Sequence, residues 1–248
     1  MLKKATITLL LTASALFGGT INIAVAANVS YAMDELKAEF KKSNPKTDVQ
    51  VTLGSSGKLN AQIVNGAPYG LFMSANMKYP EALYEQKAAI TEPVVYAQGA
   101  LAYLSVRAID FSKGISLVLD KSIRKIAIAN PKTAPYGKAA LEAMKNANVY
   151  EGAKEKLVYA ESISQVVTYA LTATDIGFIA KSSLYSATMR EYKEGVHWLS
   201  VEPELYKPIK QGIVLLKYSQ TNPEYRAFYE FILSEKAKEI FKKYGYLL

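Results

Sequence analysis

The sequence has no cysteine and a single histidine, His197. The absence of cysteine excludes disulfide bonds, thiolate metal sites, thiol catalysis and a lipid-anchored cysteine near the N-terminus. With one histidine, a histidine-rich metal site is excluded as well. Beyond the N-terminal leader, no stretch approaches the ~20 consecutive apolar residues that a membrane helix needs.

The composition is that of a folded protein with a substantial core. Half of the 248 residues are hydrophobic, and the length allows one large domain or two smaller lobes. The formal net charge is +8. Because Lys and Arg are spread along the chain, we interpret the charge as weak attraction of anions and expect no nucleic-acid partner.

The N-terminus has the features of a secretory leader. Lys3 and Lys4 precede an apolar run at residues 7–11, and residues 13–15 (Ala-Ser-Ala) supply a cleavage site. We therefore predict a signal peptide at residues 1–15 and a soluble mature protein in the periplasm.

Strand, turn and helix alternate along the next part of the chain. Strands are predicted at residues 20–26, 48–53 and 71–74, with helices between them, which favours a parallel sheet. Ligands of such sheets bind beyond the carboxyl ends of the strands, and Asn28 and Ser56 fall there.

The same unit returns after a change to extended segments near residues 94–106. Strands at residues 125–129 and near 157–159 are followed by turns that start helices at Tyr136 and Ile163. We predict an α/β protein of two lobes, residues 16–97 with 208–248 and residues 98–207, that hinge over a ligand cleft.

The turn Gly54-Ser55-Ser56-Gly57 allows two interpretations. The start of the following helix would offer unpaired backbone N–H groups, and Ser55 and Ser56 would add hydroxyls, so the turn suits an anion. A Gly/Ser cluster is, however, more often an ordinary turn. Its spacing fits neither a P-loop nor the nucleophile elbow of a hydrolase.

Several segments together resemble one family, and they occur in its order and spacing over nearly the whole mature chain. They are Ala26-Ala27-Asn28, Gly54-Ser55-Ser56-Gly57-Lys58-Leu59, Asn65-Gly66-Ala67-Pro68-Tyr69-Gly70, Asn130-Pro131, Pro135-Tyr136-Gly137, Ala160-Glu161-Ser162-Ile163, and residues 237–245. The chain resembles the periplasmic molybdate/tungstate-binding proteins of ABC transporters. This resemblance implies a type II, Venus-flytrap periplasmic binding protein that delivers its ligand to an ABC permease, without a cofactor and as a monomer.

The resemblance also implies roles for particular residues. Asn28 would donate from its side-chain amide, Ser56 from its hydroxyl and backbone N–H with Ser55 beside it, and Tyr136 and Ile163 from their backbone N–H groups. No side chain would bind the metal directly, since it arrives as an oxyanion. Many members also donate a tyrosine hydroxyl from the position of Ala180. We expect Asn28 to compensate, with Lys181 and Ser182 as alternatives.

The chemistry of the turns favours molybdate or tungstate over phosphate. Both oxometallates are full dianions at neutral pH, so a good site contains donors only, whereas phosphate keeps a proton that a carboxylate can accept. Glu161 is the only acid near these turns, and a buried carboxylate facing a dianion is costly. Sulfate differs from molybdate only in size, so a receptor for sulfate or phosphate stays an alternative. A secreted serine hydrolase that uses Ser56 and His197 is a remote one.

Overall fold

The structure of the protein is a computed structural model that describes residues 19–248. The predicted leader and its cleavage site lie outside the described residues. Ten strands form two five-stranded sheets, and eight α-helices cover them. The strands are β1 (Thr20–Ala26), β2 (Asp48–Gly54), β3 (Leu71–Ser74), β4 (Val94–Gly99), β5 (Leu101–Leu104), β6 (Ile126–Ala129), β7 (Leu157–Ala160), β8 (Ile176–Ala180), β9 (Trp198–Ser200) and β10 (Ile209–Leu215). The helices are α1 (Ser30–Ser43), α2 (Ser56–Val64), α3 (Lys78–Glu85), α4 (Pro135–Asn146), α5 (Tyr150–Ala153), α6 (Ile163–Thr172), α7 (Pro223–Leu233) and α8 (Glu235–Lys243).

Each sheet mixes parallel and antiparallel pairs. The first has the order β2-β1-β3-β10-β4, with β1 parallel to β2 and β3, and β10 antiparallel to β3 and β4. The second has the order β7-β6-β8-β5-β9, with β5 antiparallel to β8 and β9. The predicted parallel arrangement therefore holds for the strands joined by helices. The strands that carry the chain between the sheets, for which no parallel pairing was predicted, pair antiparallel with their neighbours.

The chain crosses between the sheets twice. Only Ala100 separates β4 in the first sheet from β5 in the second, and residues 201–208 lead back from β9 to β10. Two crossings between the same two halves are what a hinge requires.

Strand β1 is buried on both faces, which is why its sequence is a nearly continuous apolar run. Ile23 and Val25 pack with α1, α7 and α8, where the rings of Phe40 and Phe228 meet edge to face at 5.0 Å. Ala24 packs on the opposite side with Leu59 of α2 and its neighbours. The second sheet has its own core between α4 and α6.

This packing brings several turns together. The carboxyl ends of β1 and β2 lead into the 3-10 turn Ala27–Val29 and into α2, while those of β6 and β7 lead into α4 and α6. Within residues 19–248, no helix is long and apolar enough to cross a membrane.

Candidate functional site

A small cavity lies between the two sheets and is enclosed by turns from both. The space open to the centres of water-sized molecules is about 10 Å³, close to what one water molecule requires. All five predicted site residues, Asn28, Ser55, Ser56, Tyr136 and Ile163, line this cavity. The other lining residues are Ala26, Ala27, Gly54, Ala75, Ala134 and Pro135. The structure therefore brings together residues that lie far apart in the sequence.

Ser55 and Ser56 come from the turn between β2 and α2. Ser55 precedes the helix in an extended conformation, and its buried hydroxyl has no hydrogen-bond partner. The Ser56 hydroxyl accepts a 2.9 Å hydrogen bond from the backbone N–H of Ala75, which leaves its own hydrogen free to donate. Helix α2 begins at Ser56. The amide groups of its first turn have no partner within the helix and lie at the positive end of its dipole.

Tyr136 and Ile163 come from the second half. Pro135 occupies the first turn of α4, where its fixed φ suits the start of a helix, and Tyr136 follows it. Helix α6 begins at Ile163, and the Ser162 hydroxyl caps it by accepting from the backbone N–H of Gln165. Backbone N–H groups in the first turns of α4 and α6 have no intrahelical acceptor, which makes them suitable donors to an anion.

Asn28 lines the cavity but does not present the predicted donor. Its Nδ2 donates to Gln211 Oε1 at 2.8 Å and to the Tyr246 hydroxyl at 2.9 Å, so both amide hydrogens are used. Its Oδ1 is buried and has no partner. In this orientation the amide cannot donate to a ligand, and the expected role of Asn28 requires the amide to turn.

Gln211 was not identified from the sequence, although it organises the polar groups behind the cavity. It is fully buried on β10; its Oε1 also accepts from the Tyr96 hydroxyl at 2.9 Å, and its Nε2 donates to the Tyr136 hydroxyl at 3.3 Å. One signal could have revealed it. Gln211 is the polar residue at the middle of the alternating series Ile209, Gln211, Ile213 in a buried strand, a position that normally requires hydrogen-bond partners.

The three tyrosine hydroxyls of this network are neutral. Burial raises the pKa of Tyr96 and of Tyr136 well above the ordinary value of 10.0, and burial likewise raises the pKa of Tyr246. Neutral hydroxyls can both donate and accept, so the network has more than one consistent pattern of hydrogen bonds.

No lysine, arginine or carboxylate lines the cavity. Glu161, the acid nearest to the predicted site in sequence, forms an exposed ion pair with Lys58 of α2. Among residues 19–248, no group of three or more His, Asp or Glu side chains is placed to hold a metal ion. The chemistry of the cavity is therefore that of uncharged donors.

Lys181 and Ser182, the residues considered as alternatives to Asn28, lie outside the cavity. The Ser182 hydroxyl donates to the backbone carbonyl of Asn28 at 3.0 Å, and Lys181 Nζ lies 5.9 Å from the centre of the Trp198 ring. Neither Lys181 nor Ser182 lines the cavity, and Ala180 does not either.

His197 is also outside the cavity that Ser56 lines. Its Nδ1 accepts a hydrogen bond from the backbone N–H of Lys193, and its ring packs against Tyr192. These are contacts of a structural histidine on the second half, so no observation supports its pairing with Ser56.

Comparison with known proteins identifies the family. A family model described as bacterial extracellular solute-binding protein matches residues 21–247. The chain belongs to this family. Molybdate-binding protein ModA from Rhodobacter capsulatus is 38% identical over 233 residues, covering 92% of this chain and 88% of that protein. ModA from Azotobacter vinelandii is 32% identical, covering 91% and 89%.

The fold agrees with this assignment. The solved periplasmic molybdate-binding protein of Azotobacter vinelandii superimposes with a TM-score of 0.84 at 30% sequence identity, covering 92% of this chain and 99% of that one. The predicted fold class, a two-lobed type II periplasmic binding protein, is confirmed. These relatives are named as binding proteins, which agrees with a binding role for this chain.

Proposed function

We propose that this protein is a periplasmic receptor that captures molybdate in the cavity between its two halves and delivers it to an ABC permease. Tungstate, which has nearly the same size and charge, is proposed as a second ligand. The observation that carries the proposal is a cavity formed by turns of both sheets and lined by neutral donor groups. In this form it has room for one water molecule, so the turns have to move apart to admit an oxyanion. The similar proteins from Rhodobacter capsulatus and Azotobacter vinelandii are named as molybdate-binding proteins, which supports the proposal.

The donors suit a ligand that is fully ionised. Ser55 and Ser56 offer hydroxyls, and α2, α4 and α6 direct their N-termini at the cavity. A hydrogen bond to a charged partner contributes about 1.5–3 kcal/mol, so several together hold a dianion without a fixed cation. A carboxylate in the cavity would suit protonated phosphate, and none is present among the lining residues.

The two halves would close on the ligand as lobes. We assign residues 19–99 and 209–248, which carry the first sheet, to one lobe and residues 101–200, which carry the second sheet, to the other. The first crossing falls two residues later than the sequence predicts, because β4 continues to Gly99. Two contacts join the site turns across the cleft: the backbone N–H of Gly57 donates to the Thr133 carbonyl at 2.8 Å, and Lys58 pairs with Glu161. Opening would break both contacts, so they belong to the closed form that we propose the permease recognises.

Calorimetric titration of the purified mature protein with molybdate, tungstate, sulfate and phosphate tests the proposal. We expect molybdate and tungstate to bind at least a hundredfold more tightly than sulfate or phosphate. The Ser55→Ala variant, which removes a proposed donor from the cavity, should bind molybdate more weakly than the wild type. Tighter binding of phosphate or sulfate, or no heat with either oxometallate, would disprove the proposal. The mass measured in solution would check the expected monomer.

A further inference from the structure

The side chain of Asn28 conflicts with the proposed ligand. Both hydrogens of its amide are donated to Gln211 and Tyr246, and the atom without a partner is Oδ1. Every oxygen of a molybdate dianion is an acceptor, so the amide in this orientation has no hydrogen to offer it. The same amide turned by half a rotation would present Nδ2 instead. Binding of a dianion therefore depends on what controls this rotation.

The side-chain amide of Gln211 is hydrogen-bonded to that of Asn28 and so controls which way the Asn28 amide can turn. Its Oε1 accepts from Asn28 Nδ2, and it accepts from the Tyr96 hydroxyl as well. If Asn28 turned alone, its Oδ1 would face Gln211 Oε1, and two acceptors would meet in a fully buried place. Such a contact leaves buried polar groups without partners, which is destabilising. Asn28 is thus held in its present orientation by Gln211.

If both amides turn together, each amide atom again has a partner. Gln211 Nε2 then donates to Asn28 Oδ1 and to the Tyr96 hydroxyl, and Gln211 Oε1 accepts from the Tyr136 hydroxyl. The Tyr246 hydroxyl, which now accepts from Asn28 Nδ2 and donates to the Asn28 carbonyl at 2.8 Å, has to turn its one hydrogen to Oδ1. Neutral tyrosine hydroxyls permit this exchange because each can donate or accept. The Asn28 carbonyl keeps the hydrogen bond from the Ser182 hydroxyl at 3.0 Å, so the backbone need not move.

We propose that Gln211 is a positioning residue for the anion site and that its amide and the Asn28 amide turn together when the dianion binds. Gln211 does not line the cavity; it acts by accepting from Asn28 in one state and donating to Asn28 in the other. This inference rests on the proposed function, because only a ligand without hydrogens requires the turned state.

A double-mutant cycle tests the coupling. Molybdate affinity is measured by calorimetry for the wild type, Asn28→Ala, Gln211→Met and the double variant. Methionine keeps the length of glutamine and removes its hydrogen bonds. Gln98→Met, on the neighbouring strand β4 and half-buried, is the matched control. We expect Gln211→Met to weaken binding about tenfold, because the turned Asn28 amide then loses the donor to its buried Oδ1. Gln98→Met should leave the affinity within twofold, and Gln211→Met should add less than a twofold loss once Asn28 is alanine.

The inference would be overturned if Gln211→Met did not weaken molybdate binding. It would also be overturned if the double variant lost as much affinity as the two single variants lose together. If Ser55→Ala still weakens molybdate binding in that case, the proposed function stands and only the positioning role fails. If the wild type does not bind molybdate, the proposed function itself fails.

A measurement on the wild type covers the case in which Gln211→Met does not fold. Side-chain amide signals of the ¹⁵N-labelled protein are compared before and after saturation with molybdate. We expect the signals of both Asn28 and Gln211 to shift, while that of Gln98 stays within the line width. A shift of Asn28 with an unchanged Gln211 signal would contradict the joint rotation.

Discussion

The hydroxyl of Tyr136 packs so closely against Gly99 that a β-carbon at position 99 would overlap it. Gly99 ends β4 in the first sheet, whereas Tyr136 begins α4 in the second half. The same hydroxyl accepts a hydrogen bond from Gln211 at 3.3 Å. Tyr136, which is proposed to bind the anion through its backbone N–H, is therefore held against the first sheet by its side chain. The close contact leaves no room for a side chain at position 99, so a glycine is needed there in this closed form.

We expect Gly99→Ala to weaken molybdate binding about tenfold, because the added methyl group displaces the Tyr136 ring in the closed form. Overpacking of this kind typically costs 1–3 kcal/mol, so the melting temperature should fall as well. Gly152→Ala is the control, since its β-carbon meets only the end of the exposed Leu119 side chain. Titration and thermal unfolding of both variants check the prediction, and wild-type affinity in Gly99→Ala would refute it.

Ser55 and Ser56 should respond differently to alanine. The Ser55 hydroxyl is buried without a partner, so its removal should leave the stability of the ligand-free protein unchanged or slightly higher. Because that hydroxyl is proposed to donate to the anion, molybdate affinity should fall at least tenfold, as expected for a hydrogen bond to a charged group. Calorimetry and thermal unfolding without ligand measure the two effects separately.

Ser56→Ala is the matched comparison, because its hydroxyl accepts from the backbone N–H of Ala75. Its loss leaves a buried N–H unpaired and should lower the free energy of unfolding by about 1–3 kcal/mol even without ligand. Equal stability losses in the two ligand-free variants would show that Ser55 has a structural role instead.

The sequence was sufficient for the elements whose pattern is local. The bounds of β1 and β3 agree with the prediction, because each is an apolar run ended by polar turn residues. The same turns placed Ser55, Ser56, Tyr136 and Ile163 at helix starts, and the structure brings all four to one cavity. The orientation of Asn28 could not be predicted. It depends on Gln211 and Tyr246, which lie 183 and 218 residues away along the chain, and no local pattern specifies such pairs.

Stability should fall steeply in alkaline solution because of the tyrosine network. Burial raises the pKa of Tyr96, Tyr136 and Tyr246 in the folded protein above the ordinary value of 10.0. Above about pH 10 the unfolded chain releases these protons while the folded protein retains them, so the free energy of unfolding decreases as the pH rises. Each tyrosine contributes a slope of about 1.4 kcal/mol per pH unit.

Urea unfolding between about pH 9 and pH 11 measures this slope. Tyr96→Phe should reduce the alkaline loss over this range by the contribution of one tyrosine, about 1.4 kcal/mol in total, because the other two remain. An identical slope in wild type and variant would mean that Tyr96 ionises as readily in the folded protein as in the unfolded chain.

The ion pair between Lys58 and Glu161 should contribute little to closure, although it joins the two halves beside the site. The Lys58 and Glu161 side chains are 53% and 62% exposed, and exposed pairs typically contribute 0.2–1 kcal/mol. Lys58→Gln removes both the pair and a cation that follows Ser56 by two residues, so we expect molybdate affinity to fall two- to fivefold. Glu161→Gln removes the pair but also an anion that repels the ligand, so the molybdate affinity of this variant should stay within about twofold of the wild type.

Both differences should disappear in about 0.5 M salt, where exposed charges are screened. A Glu161→Gln loss that equals the Lys58→Gln loss and persists in salt would instead make this pair a principal contact of the closed form.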